Sequence, residues 1–89
     1  MNTIYKYEVK PKATGEKFSI QMPEDSKVLC FREQGDKLYI WAEVDTENAV
    51  DSVDFVMYDT GQEVSVTSNT MDYVGTVQQG AFVWHLYTL

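Results

Sequence analysis

With 89 residues the chain has room for one domain, residues 1–89, and at 44% hydrophobic and 13% aromatic it carries enough apolar surface to close a single core without staples. The net charge of −7 argues against a nonspecific grip on nucleic acid or on an anionic membrane, and the single cysteine, Cys30, excludes an internal disulfide. No apolar run approaches the roughly 18 residues that span a bilayer and no basic-then-apolar leader opens the chain, so the expectation is a soluble protein of a reducing cytoplasm.

Residues 3 to 10 alternate Tyr5, Tyr7 and Val9 against Lys6 and Glu8, the pattern of a half-buried strand with a charged outer face. Pro11 and Gly15 bracket a turn. Residues 16 to 22 then set Phe18, Ile20 and Met22 inward until Pro23 removes a backbone donor and stops the strand. Residues 27 to 32 lead through Glu33-Gln34-Gly35, read as a three-residue loop that sets Arg32 opposite Asp36 and places Val28 and Cys30 beside Ile40 and Leu38.

Residues 36 to 44 form the element around which the rest is organised. Leu38, Ile40, Ala42 and Val44 fall on one face and Tyr39 and Trp41 on the other, so both faces need cover and the strand belongs in the middle of a sheet. Residues 45 to 52 read as an acidic loop with one helical turn. Residues 53 to 58 and 62 to 67 read as a second hairpin around Asp59-Thr60-Gly61. After a polar loop at 68 to 70, residues 72 to 77 and 81 to 89 make a third hairpin around Gln78-Gln79-Gly80. The predicted fold is all-β: one small antiparallel meander of about eight short strands, barrel-like or a sandwich, with little or no helix. A short echo, Trp41 and Trp84 each fourth after a glycine-closed turn, is accounted for by two strands of similar burial rather than by a repeat.

No catalytic, cofactor or metal residue is assigned. Asp59-Thr60-Gly61 matches the active-site triplet of aspartic proteases, whose small viral members are all-β homodimers in which each subunit donates one Asp and the two share a proton, but it lies late in the chain and no second glycine-bearing apolar segment follows at the right distance. A hairpin loop is the plainer reading. Cys30 and His85 are a conceivable nucleophile and base, yet the alternation turns both toward the interior. One His and one Cys do not make a zinc site, and the acids between 43 and 54 lack the spacing and glycine of a calcium loop. Tyr39 and Trp41 have the chemistry to stack on bases, but no Lys or Arg follows Lys37, so an aromatic core or interface is favoured there.

Several short stretches together carry a resemblance: Tyr5-Lys6-Tyr7, Ile20-Gln21-Met22-Pro23, the strand at Leu29, Leu38 to Asp45 with its Trp41, Thr60-Gly61, Tyr73 to Val77, and Val83-Trp84-His85-Leu86-Tyr87. On these the chain resembles a family of small proteins encoded by tailed bacteriophages. That family usually has Gly-Thr-Gly where this chain has Asp59-Thr60-Gly61, and it carries no established activity. What the resemblance implies is a phage protein acting in the host bacterial cytoplasm.

All seven Lys and Arg fall within residues 1 to 37, and residues 38 to 89 hold acids and no Lys or Arg. The functional expectation is therefore a non-enzymatic interaction protein that binds and perturbs a basic host protein, such as a nuclease or defence component, through Glu43, Asp45, Glu47, Asp51 and Asp54. The alternative is an oligomer that sequesters a nucleotide-like small molecule against Tyr39, Trp41, Trp84 and Tyr87. A protease-like dimer is the remote third. No nucleic-acid or membrane partner is expected. A homodimer is expected through residues 81 to 89, because Trp84, Leu86 and Tyr87 crowd that last strand.

Overall fold

A computed structural model describes residues 1–11, 14–64 and 70–89. Seven antiparallel strands form: β1 (Asn2–Val9), β2 (Phe18–Pro23), β3 (Lys27–Gln34), β4 (Lys37–Asp45), β5 (Val50–Asp59), β6 (Asp72–Gln79) and β7 (Phe82–Thr88). They divide into a three-stranded sheet ordered β1-β4-β3 and a four-stranded sheet ordered β2-β5-β7-β6, a small sandwich rather than a closed barrel. No helical element occurs among the described residues, so none of them forms a helix long and apolar enough to cross a membrane.

The period-2 pattern of β4 does what it predicts on one face: Leu38, Ile40, Ala42 and Val44 are all buried, at 0 to 1% exposure, against Phe55, Met57, Trp84 and Leu86 of the second sheet. Each large aliphatic or aromatic side chain sealed this way contributes about 1.5–3 kcal/mol. The sheets close on one side where β3 packs on β6. On the other side their outer strands, β1 and β2, are not paired with each other.

Several expectations are corrected. There are seven strands among the described residues, not eight, and the strand buried on both faces is β5, where Phe55, Val56, Met57 and Tyr58 run continuously at 0 to 3% exposure. It lies inside the larger sheet, between β2 and β7, with Phe55 and Met57 in the main core and Val56 and Tyr58 in a second cluster with Met71. The acidic loop is short and has no helix, since β4 runs to Asp45 and β5 begins at Val50. Among the described residues the second hairpin has no return strand: Gln62, Glu63 and Val64 are not in a strand, and β5 pairs with β2 and β7. Residues 65–69, in the expected return strand and polar loop, and residues 12–13 of the first turn lie outside the described residues.

The hairpin turns are also one residue shorter than expected. Gln34 stands opposite Lys37 and Gln79 opposite Phe82, so Gly35-Asp36 and Gly80-Ala81 are two-residue loops with the glycine first, at φ 65° and 59°. A glycine at positive φ in that first position is the signature of a type II′ turn, whose twist matches the strands. The change moves Arg32 from Asp36 to Tyr39, an odd-numbered slip that reverses the faces of β3. Phe31 therefore enters the core opposite Ile40, and Cys30 turns outward opposite Trp41. A bulge at Leu29 then restores Val28 to the inner face, beside Ala42.

Strand β7 is an interior strand of the four-stranded sheet. It runs between β5 and β6 with Trp84 and Leu86 sealed in the chain's own core, so these residues need no partner subunit to cover them. His85 is only half-buried, on the opposite face from Trp84 and Leu86.

Candidate functional site

The topology sorts charge in a way the linear sequence does not. No Lys or Arg lies in any strand of the four-stranded sheet. Four of the seven cations, Lys6, Lys27, Arg32 and Lys37, lie in the strands of the three-stranded sheet.

The candidate acids fall in three places. Asp45, Glu47 and Asp51 gather at one end of the sandwich, around the β4–β5 turn. The β2–β3 turn comes to the same end, because Pro23 pairs with Val50, Glu24 N donates to the Ala49 carbonyl at 2.8 Å and Asn48 Nδ2 donates to the Glu24 carbonyl at 2.9 Å. Glu24 and Asp25 thus join the group, two residues that sequence reasoning missed because they precede the base-free stretch by more than a dozen positions. Ser26 Oγ ties the turn by donating to the Pro23 carbonyl at 2.5 Å, and Asp25 sits at φ 61°, a left-handed conformation that acidic and amide residues tolerate in turns.

At this end Glu47 N–H donates to Asp45 Oδ1 at 3.1 Å, and the Met1 ammonium lies 3.2 Å from the same oxygen and 3.7 Å from Glu47 Oε2. The backbone donor first, and then the ammonium, hold the Asp45 carboxyl below its ordinary range. Of the five carboxylates at this end, Asp45 and Glu47 pair with the ammonium. The other two candidate acids are elsewhere: Asp54 accepts from Ser19 Oγ at 2.6 Å and pairs with Lys17 at 3.8 Å, while Glu43 lies on the three-stranded sheet between Ile4 and Lys27.

The four aromatics also part company. Trp84 is in the core, stacked on Phe82 at 5.1 Å with its Nε1 donating to Gln79 Oε1 at 3.1 Å. Tyr87 lies on the outer side of the four-stranded sheet, edge-on to Tyr58 and Tyr73. Tyr39 and Trp41 remain together, half-buried on the outer side of β4 with ring centroids 5.9 Å apart. Lys6 Nζ stands 4.5 Å above the Tyr39 ring and donates to Gln34 Oε1 at 2.8 Å. The opposite directions of Trp41 and Trp84 show that the sequence echo is not a structural repeat.

His85 bridges two threonine hydroxyls, with Nε2 2.7 Å from Thr60 Oγ1 and Nδ1 3.0 Å from Thr76 Oγ1, which in turn lies 2.5 Å from the Tyr73 hydroxyl. Cys30 is on the other sheet, so the conceivable cysteine and histidine pair is not assembled. Asp59-Thr60-Gly61 ends β5 in a turn, with Gln62 N donating to the Asp59 carbonyl at 3.1 Å and the Gln62 side chain accepting from Asp59 N at 3.1 Å. Among the described residues no group of three His, Cys, Asp or Glu side chains is placed to hold a metal ion.

Comparison with known proteins matches residues 1–89 to one family, a domain of unknown function, DUF7352. No curated protein and no solved structure matches the chain.

Proposed function

We propose that this chain, which belongs to the DUF7352 family over its whole length, is a non-enzymatic binding domain that engages and perturbs a basic host protein in the cytoplasm of a phage-infected bacterium. The observation that carries this reading is the acidic end of the sandwich, where Glu24, Asp25, Asp45, Glu47 and Asp51 converge from two turns, and where the Met1 ammonium pairs with Asp45 and Glu47. Carboxylates concentrated on one surface steer a basic partner into encounter and make binding fall with salt, while like-charged proteins are repelled. The surface is rigidly framed, because both turns are tied by backbone hydrogen bonds to each other and to the ends of β2, β4 and β5.

The test is retention of host proteins from bacterial extract by immobilised protein at 50 and 300 mM salt, beside a variant carrying Glu24→Gln, Asp25→Asn, Glu47→Gln and Asp51→Asn. The expected result is a basic protein held by the native chain at low salt, released at high salt and not held by the variant. Identical retention by both proteins, or none by either, overturns the reading.

A further inference from the structure

We propose that the outer side of the three-stranded sheet is a binding surface for single-stranded nucleic acid, separate from the acidic end and independent of what that end binds. Sequence order kept the aromatic pair apart from the bases; the fold does not. Strand β4 lies between β1 and β3, both drawn from the stretch 1–37 that holds every Lys and Arg, so Trp41 stands between Lys6 and Cys30, and Tyr39 between Glu8 and Arg32. Lys37 continues the same face of β4 beyond Tyr39, and Lys27 faces Glu43 beyond Trp41.

The result is a column of two rings along the middle strand with a cation beside each step: Lys27, Lys6, Arg32 and Lys37, against the three acids Glu8, Glu43 and Asp45 of the same face. Alternate residues on a strand stand about 6.6–6.8 Å apart, so the column offers consecutive stacking positions along one line. Flat aromatic positions beside cations that track a backbone are the two parts of a sequence-tolerant single-strand site.

Three observations narrow the occupant. Tyr39 and Trp41 are half-buried on an uncovered sheet face, and Lys6 already lies over Tyr39, so the ring holds a cation that a phosphate can recruit. Among the described residues the ion pairs formed are those of Met1 with Asp45 and Glu47 and of Lys17 with Asp54; none engages Lys6, Lys27, Arg32 or Lys37. The strands of the other sheet hold no Lys or Arg, so a polyanion is repelled from that side of the sandwich. A duplex keeps its bases stacked away from such rings, which is why the single strand is the occupant argued for.

The test titrates fluorescein-labelled dT12 and U12 with the full chain at 20 mM salt, alongside a 12-base-pair duplex, heparin and thymidine triphosphate, and follows tryptophan emission in parallel. Binding to the single strands is expected, at least tenfold tighter than to the duplex, heparin or triphosphate, with quenching of the outward Trp41. Engagement of four cations predicts a slope of log affinity against log salt of about −3, from about −0.7 per phosphate contact on single strands. Trp41→Ala is expected to weaken binding tenfold or more while Trp41→Phe keeps most of it, and Lys6→Gln with Arg32→Gln is expected to flatten the salt slope to about half. Circular dichroism and melting of each variant separate lost binding from lost folding. The proposal is overturned by absence of binding at 20 mM salt, by equal binding of heparin or duplex, which marks simple anion exchange, by equal binding of the triphosphate, which marks a small-molecule site, or by a folded Trp41→Ala that binds like the native chain.

Discussion

Gly75 of β6 stands directly against Phe31 of β3: a methyl group built on Gly75 would lie 3.3 Å from Phe31 Cβ and within 3.7 Å of its carbonyl oxygen. The two sheets thus close on this side through a residue without a side chain, next to the bulge between Tyr73 and Gly75 that adjusts β6 to the approach. A Gly75→Ala change needs Phe31 Cβ, which is fixed to the β3 backbone, to yield by a few tenths of an ångström, and is expected to cost less than valine. Gly75→Val is expected to cost about 1–3 kcal/mol, the range for overpacking. Urea unfolding checks this, with the midpoint falling for valine and the slope unchanged.

Tyr58 makes the opposite case. Its ring is 2% exposed, and its hydroxyl has no hydrogen-bond partner among the described residues. A buried hydroxyl left unsatisfied costs about 1–3 kcal/mol, so Tyr58→Phe should leave the protein as stable or stabilise it by up to that amount. A melting temperature lowered by several degrees would show that the hydroxyl is satisfied after all.

Gly35 sits in open space at φ 65°, where nothing but backbone conformation opposes a side chain. Gly35→Ala is expected to cost about 1–2 kcal/mol for the left-handed conformation, and Gly35→Asn clearly less. Equal losses for alanine and asparagine, measured by denaturant midpoint, would contradict the turn assignment.

Tyr7 is the titration to watch in alkali. Burial first, and the neighbouring Tyr5 second, raise its pKa above the ordinary 10.0, so the folded state holds the phenol proton more tightly than the unfolded chain does. Its contribution to stability is complete below pH 10 and is lost as the pH climbs through the raised folded value. Tyr7→Phe should flatten the decline in stability above pH 10, and an unchanged profile would assign the decline to other groups.

Much of this architecture was legible from alternation. The inner face of β4, the inward set Phe18, Ile20 and Met22 of β2, and the punctuation by Pro23, Gly35 and Gly80 all read directly, because side-chain period and turn chemistry are local. The facing of β3 did not, since it hangs on whether Gly35 is the last of three loop residues or the first of two, and one choice inverts every side chain from Val28 to Arg32 except where the Leu29 bulge intervenes. The two-sided burial of Phe55 to Tyr58 was present as a continuous apolar run but was assigned to a hairpin, whereas β5 pairs with β2 and β7. Both candidate surfaces were hidden for a common reason. Glu24 and Asp25 join Asp45 and Asp51 only through the pairing of β2 with β5, and Lys6 and Arg32 flank Tyr39 and Trp41 only through the order β1-β4-β3.

The contact between the acidic end and a basic partner is tested most directly by amide chemical-shift mapping of the isotope-labelled chain against the host protein retained at low salt. The account predicts that the shifts concentrate at residues 24–25 and 45–51, and that they vanish together at 300 mM salt. Shifts confined to the four-stranded sheet around His85 and Tyr87, or unchanged by salt, would contradict it.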